Sequence, residues 1–123
     1  MNDNQTAIEQ HAEIANLYEY CFIETIRELA EAKNFKKGDF AKQVWPESSD
    51  KVARNRWERM RTEDGRTGKP VACSLSDAYR MASVLGLQMS YVTVQAEFKA
   101  KRLIEDMAQA KGDSPATNKI KRK

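Results

Sequence analysis

The sequence predicts an all-α protein, a compact helical bundle with extended N- and C-terminal helices, occupying residues 1–110 as a single domain. Three observations predict it. Apolar residues recur at three-and-four spacing in several separate stretches. The segments that join or end those stretches, such as "PESSD", "TEDGRTGKP" and the closing "GDSP", are made of turn and capping residues. The composition, 41% hydrophobic and 32% charged over 123 residues, suits one helix-rich domain with enough chain to bury a core without staples.

The first helix is expected over residues 6–32, with residues 6–21 as an extension. Ile8, Ala12, Ala15, Phe22, Ile26 and Leu29 form a stripe that only Glu19 breaks, and Ile14, Leu17, Tyr18 and Cys21 flank it. Its length allows one long helix or two shorter ones. A short helix follows at about Lys37–Val44, with Phe40 and Val44 on one face and Ala41 beside them. Trp45-Pro46 stops it, because proline disfavours helical geometry in the residue before it. Ser48, Ser49 or Asp50 then caps a third helix that runs to about Arg61.

"TEDGRTGKP" is a loop, long for a helix connection. In "SLSDAYRMASVLGL", Ser74 and Asp77 fit a capping box, and Leu75, Ala78, Ala82 and Leu85 form the apolar stripe. Gly86 is the stop, with Leu87 folding back after it. Residues 90–110 are expected as a helix capped by Ser90, with Ala96, Ala100, Leu103, Met107 and Ala110 on one face. Its β-branched start, "YVTV", also fits a short strand. Residues 111–123 have too little apolar surface to fold and read as a disordered basic tail.

The net charge of +3 is unevenly spread. Residues 1–31 hold seven acids and one base, net −6. Residues 51–69 hold seven bases and three acids, and residues 111–123 five bases and one acid, each net +4. An acidic start and two basic blocks suggest one end for protein contacts and another for a polyanion. No apolar run reaches membrane-spanning length, and the polar, acidic N-terminus is unlike a signal peptide, so a cytoplasmic location is expected.

Catalytic and metal chemistry find little support. Cys21 and Cys73 form no CxxC pair and His11 is the lone histidine, which argues against zinc. Cys21 sits in an apolar helical pattern and reads as a buried thiol. A bridge to Cys73 stays open, against the redox setting of a cytosolic chain. No Gly-rich phosphate loop or nucleophile motif occurs, so neither an enzyme nor a cofactor is expected.

The stretch "DKVARNRWERM", Asp50 to Met60, carries the functional signal. At 3.6 residues per turn, Ala53, Trp57 and Met60 share one narrow stripe that can dock on a core. Lys51, Asn55 and Glu58 point the opposite way, Arg54 and Arg59 flank that outer face, and Arg56 lies nearer the buried edge as a structural residue. Arginine pairs bidentately with guanine and asparagine with adenine, and both cation types neutralise phosphates. Alone, this run is also what a solvated basic helix looks like. Trp45 and Trp57 could stack on single-stranded bases, but are better explained as core anchors.

The surrounding pieces, in order, resemble the lambda-repressor-like helix-turn-helix family of Xre/Cro type over about residues 22–92. "IRELAEAKNF" looks like the family's first helix and its exit, and "FAKQV" like its second, with Phe40-Ala41 at the usual Leu-Ala pair. "NRWER" matches the end of the third, and "SLSDAYRMASVLGL" is similar to the fourth. Two features depart from the pattern. Trp45-Pro46 fills the turn where the family usually has glycine. The link Thr62–Pro70 is longer than usual, and is either a small wing bearing Arg61, Arg66 and Lys69 or a tolerated insertion.

The resemblance implies a helix-turn-helix at about 37–61 in a transcriptional regulator of double-stranded DNA, with its third helix in the major groove. It makes Lys51, Arg54 and Asn55 the base-reading candidates. Lys36, Lys37, Lys42, Arg59, Arg61, Arg66 and Lys69 become the phosphate contacts. The competing expectation is a helical protein-interaction module, an antitoxin, adaptor or anti-repressor, that keeps the fold. In either case Ile8, Ala12, Ile14, Ala15, Leu17 and Tyr18, with Leu103, Ile104 and Met107, exceed what a minimal core covers. The two extensions pack on each other within one chain, or they form a homodimer. The dimer is the favoured expectation, because a single basic helix rarely gives useful specificity against competing sites.

Overall fold

The computed structural model describes residues 3–62 and 72–112, without the side chains of residues 3–12, Lys37, Met107 and 110–112. Arg66, Lys69 and the basic segment after residue 112 therefore lie outside the described residues. Five helices follow one another: α1 (Asp3–Ala32), α2 (Lys37–Val44), α3 (Asp50–Arg61), α4 (Leu75–Val84) and α5 (Met89–Gly112). The described residues contain no strand, and none of the helices is long and apolar enough to cross a membrane.

α1 is one continuous helix, starting at Asp3 and not at residue 6. Its C-terminus closes with Asn34 in the left-handed region, φ 65°. The Phe35 amide donates to Ala30 and the Asn34 amide to Glu31, which satisfies two terminal carbonyls. The end of α4 repeats the device with Gly86 at φ 73°, the Leu87 amide donating to Ala82 and the Gly86 amide to Ser83. Leu87 folds back onto the core as the sequence predicts. α5 begins at Met89, ahead of the expected Ser90 cap, with the Gln88 carbonyl accepting the Val92 amide. "YVTV" is helical throughout: Val92 is fully buried, and packing against a neighbour outweighs the β-branched preference.

The core joins Cys21, Phe22, Ile23, Ile26 and Ala30 of α1 to Phe40, Ala41 and Val44 of α2 and to Ala53, Trp57 and Met60 of α3. Ala78, Met81 and Ala82 of α4, Leu85 just after it, and Val92, Ala96 and Ala100 of α5 complete it. Phe40 sits between Phe35 and Trp57, with ring centroids 5.6 and 5.2 Å away. Leu75 does not belong to the α4 stripe: it is 72% exposed, and Met81 takes its place. At the level of Leu75 the neighbour of α4 is an open cavity, so the first turn of the stripe has nothing to pack on.

α1 and α5 run in the same direction. Tyr18 and Phe22 border the same cavity as Met89, Thr93 and Ala96, and further along Glu28 pairs with Lys99 at 2.7 Å. The early turns of α1 and the late turns of α5 thus leave the core at opposite ends. The alternative in which the two extensions cover each other is therefore not adopted among the described residues. Ile14 stays 38% exposed and Ala15 is exposed.

Candidate nucleic-acid interface

α2 and α3 are joined by a turn whose geometry is set by side chains rather than by a glycine. Trp45 caps α2, its amide donating to Ala41, and its ring is buried. The Ser48 amide then donates to the Trp45 carbonyl at 3.1 Å. Lys42 clips the turn from below: its ammonium donates to the Ser48 carbonyl at 2.6 Å and to that of Pro46 at 3.4 Å, with Asp50 at 3.5 Å. Arg80 of α4 buttresses the other side, donating to the Val44 carbonyl at 3.0 Å and pairing with Glu47 at 2.8 Å. Ser49 caps α3, its hydroxyl oxygen accepting the Val52 amide at 3.2 Å.

α3 docks through Ala53, Trp57 and Met60, the stripe the sequence predicts. Its four arginines divide into two pairs. Arg56 turns inward: its guanidinium donates to Asp77 at 2.7 Å and lies 5.3 Å from the centre of the Trp45 ring. Arg61 also turns inward: its side chain is only 9% exposed, pairs with Glu58 at 2.6 Å and lies 5.2 Å from the centre of the Trp57 ring. Arg54 and Arg59 are exposed, as are Lys51 and Asn55, and within the described residues none of the three cations is in an ion pair.

Arg54 is nevertheless held in place. A β carbon on Gly38 would lie 3.1 Å from its Cδ, so the arginine stem rests against the first turn of α2 where a side chain is missing. Lys36, the residue before α2, is exposed and gives that helix no side-chain cap. The free amides of the first turn of α2 and the Lys36 ammonium therefore share one end of the helix.

Asp77 sets the tilt of this surface, and sequence reasoning missed its role. The predicted capping box forms by half: the Ser74 hydroxyl oxygen accepts the Asp77 amide at 3.0 Å. The Asp77 carboxylate does not reach back. It turns inward, accepting from the Trp45 indole at 3.0 Å on one oxygen and from Arg56 on the other. Asp77 is only 4% exposed. Burial raises its pKa, but the hydrogen bonds from Arg56, Trp45 and Ser74 outweigh burial and hold it below the ordinary value. An aspartate three residues after a capping serine signals a cap, and nothing local announces partners 21 and 32 residues away.

The predicted site residues thus fall into three groups. Lys51, Arg54, Asn55 and Arg59 share the outer surface of α3, with Lys36 at the adjoining end of α2. Lys42 and Arg61 are occupied by the scaffold. Lys37 is placed by its backbone alone, and Arg66 and Lys69 lie outside the described residues. Both cysteines are free thiols, and burial pushes the Cys21 thiol up. No family model, curated protein or solved structure matches the chain.

Proposed function

We propose that this chain is a sequence-specific, double-stranded-DNA-binding transcriptional regulator of phage or bacterial type, acting in the cytoplasm, with α2 and α3 as its helix-turn-helix and α3 entering the major groove. One observation carries the reading: the division of cations on α3. Arg56 pairs with the buried Asp77 and Arg61 with Glu58 over the Trp57 ring, while Lys51 and Asn55 stand on the outer face of α3 flanked by Arg54 and Arg59, whose charges and that of Lys51 are in no ion pair within the described residues. Lys51, Arg54 and Asn55 are the proposed base readers, and Arg59 and Lys36 the proposed phosphate contacts. Lys37, Arg66 and Lys69 remain phosphate candidates on their sequence position, whereas Lys42 and Arg61 are reassigned to holding the scaffold.

The active form is proposed to be a homodimer joined through the projecting parts of α1, α5 or both. A two-fold assembly would present two copies of α3 to half-sites about 34 Å apart.

The test is fluorescence anisotropy on fragments of the source genome, with excess nonspecific competitor and a salt titration. Neutralising about four phosphates gives a slope of log K against log[salt] of roughly −3 to −4. Binding to no fragment above competitor, or affinity flat across the titration, would leave the helical protein-interaction module as the better account.

A further inference from the structure

An open cavity of about 370 Å³ lies between the middle of α1 and the first turns of α4 and α5. Its walls include the aromatic residues Tyr18 and Phe22 together with Ala78, Met89 and Ala96. Among the described residues one charged side chain enters the lining, that of Glu19, whose Oε2 accepts the Cys73 amide at 2.8 Å. Glu19 is also the one residue that breaks the apolar stripe of α1, so the sequence places a carboxylate where packing alone would favour an apolar residue. The Cys73 thiol in the same wall is pushed up to about 12, first by burial and then by the nearby Asp77 and Glu19 carboxylates. Arg56, paired with Asp77 at 2.7 Å, works the other way, so Glu19 is the charge the cavity itself presents.

These features select a ligand class. Apolar walls favour a hydrocarbon body, and two aromatic rings beside one carboxylate favour a positive charge. An anion would meet the Glu19 carboxylate. The volume stands at the low end of small-molecule sites, about 300–1,000 Å³, which suits a single-ring compound rather than a folded partner.

We propose that this cavity is a binding site for a small organic cation with an apolar or aromatic body, its ammonium group directed at Glu19 and its body against Tyr18 and Phe22. The site is separate from the outer surface of α3, and the proposal does not depend on DNA binding.

The test titrates phenethylammonium into the full chain and follows backbone amide NMR shifts, with 2-phenylethanol and 3-phenylpropionate as neutral and anionic near-isosteres. The ammonium is expected to saturate, to shift the amides of Glu19, Cys73, Ala78 and Thr93, and to bind about tenfold tighter than the alcohol, with the carboxylate weaker still. Glu19→Gln keeps an acceptor for the Cys73 amide and should weaken the ammonium about tenfold while leaving the alcohol unchanged. Thr93→Trp, at an exposed position in the lining, should fill the space and abolish binding of all three. Equal binding of the three probes, full ammonium affinity in Glu19→Gln, shifts centred elsewhere, or no saturation by about 10 mM ammonium would each overturn the proposal. DNA affinity enters none of these readouts, so failure here and failure of the regulator reading are separate results.

Discussion

The guanidinium of Arg56 lies 2.7 Å from the carboxylate of Asp77, tying the middle of α3 to the start of α4. The same carboxylate takes the indole N–H of Trp45, so one buried side chain anchors the turn before α3 and α3 itself. The angle at which the outer surface of α3 is presented thus depends on an acid of the neighbouring helix, in direct contact but more than twenty residues away in sequence.

Removing that acid should be costly. Asp77→Ala leaves the Trp45 N–H buried without its partner and should destabilise the fold by about 2–4 kcal/mol. Arg56→Ala should cost less, about 1 kcal/mol, because the arginine is partly exposed and water screens the pair. Urea unfolding of both variants checks the order; equal losses would contradict the hub role of Asp77.

The same group predicts an acid dependence. The folded-state pKa of Asp77 is depressed, so its contribution is complete above the ordinary carboxylate range, about 4. It is lost as pH falls through the lower folded-state value, because the unfolded chain then binds the proton more readily. Stability measured from pH 6 down to pH 2 should show a smaller acid loss in Asp77→Asn than in the parent chain.

Trp57 fills the centre of the α2–α3 contact, and Arg61 covers its ring. Trp57→Ala should lower stability by about 3–5 kcal/mol. Asn55→Ala should leave stability within about 0.5 kcal/mol of the parent and cost about 1–3 kcal/mol on the true DNA site, with little effect on random DNA. Comparing melting curves with competition binding separates the two outcomes.

The occupied and free cations should separate in a salt titration. Lys51→Ala or Arg59→Ala should each reduce the salt slope by about 1. Lys42→Ala and Arg61→Ala should leave the slope unchanged and lower stability instead, since their charges are bound within the chain. Gly38→Ala is a finer probe. The added methyl displaces the Arg54 stem and should weaken specific binding while the helix itself gains about 0.5–1 kcal/mol.

The dimer is testable by truncation. Because the early turns of α1 leave the core where α5 begins, removing residues 1–12 should preserve the fold. Sedimentation of that variant beside the full chain, at about tens of micromolar, is expected to convert a dimer to a monomer if α1 forms the joint. Retention of the dimer transfers the joint to α5, and a monomeric full-length chain removes the proposal. A truncation of α5 has to stop short of Ala100, which is fully buried.

The sequence by itself determined what depends on near neighbours. The helical class of the elements, the Ser74 cap, the Gly86 stop and the buried stripe of α3 follow from periodicity and terminal hydrogen bonding, which act over three to seven residues. The same signals do not choose Ser49 over Ser48 and Asp50 as the α3 cap, nor one continuous α1 over two shorter helices. The inward lean of Arg56 was legible for the same reason, as an angle on one helix. Only the tertiary structure decided matters that join distant residues. It placed the Asp77 carboxylate under Trp45 and Arg56 and set Glu19 on the Cys73 amide. It exposed Leu75 at a cavity mouth, and it sent the ends of α1 and α5 in opposite directions. Periodicity says which face of a helix is apolar, but not what stands opposite that face. Whether a given charge is free or bound depends on the neighbour that packing supplies.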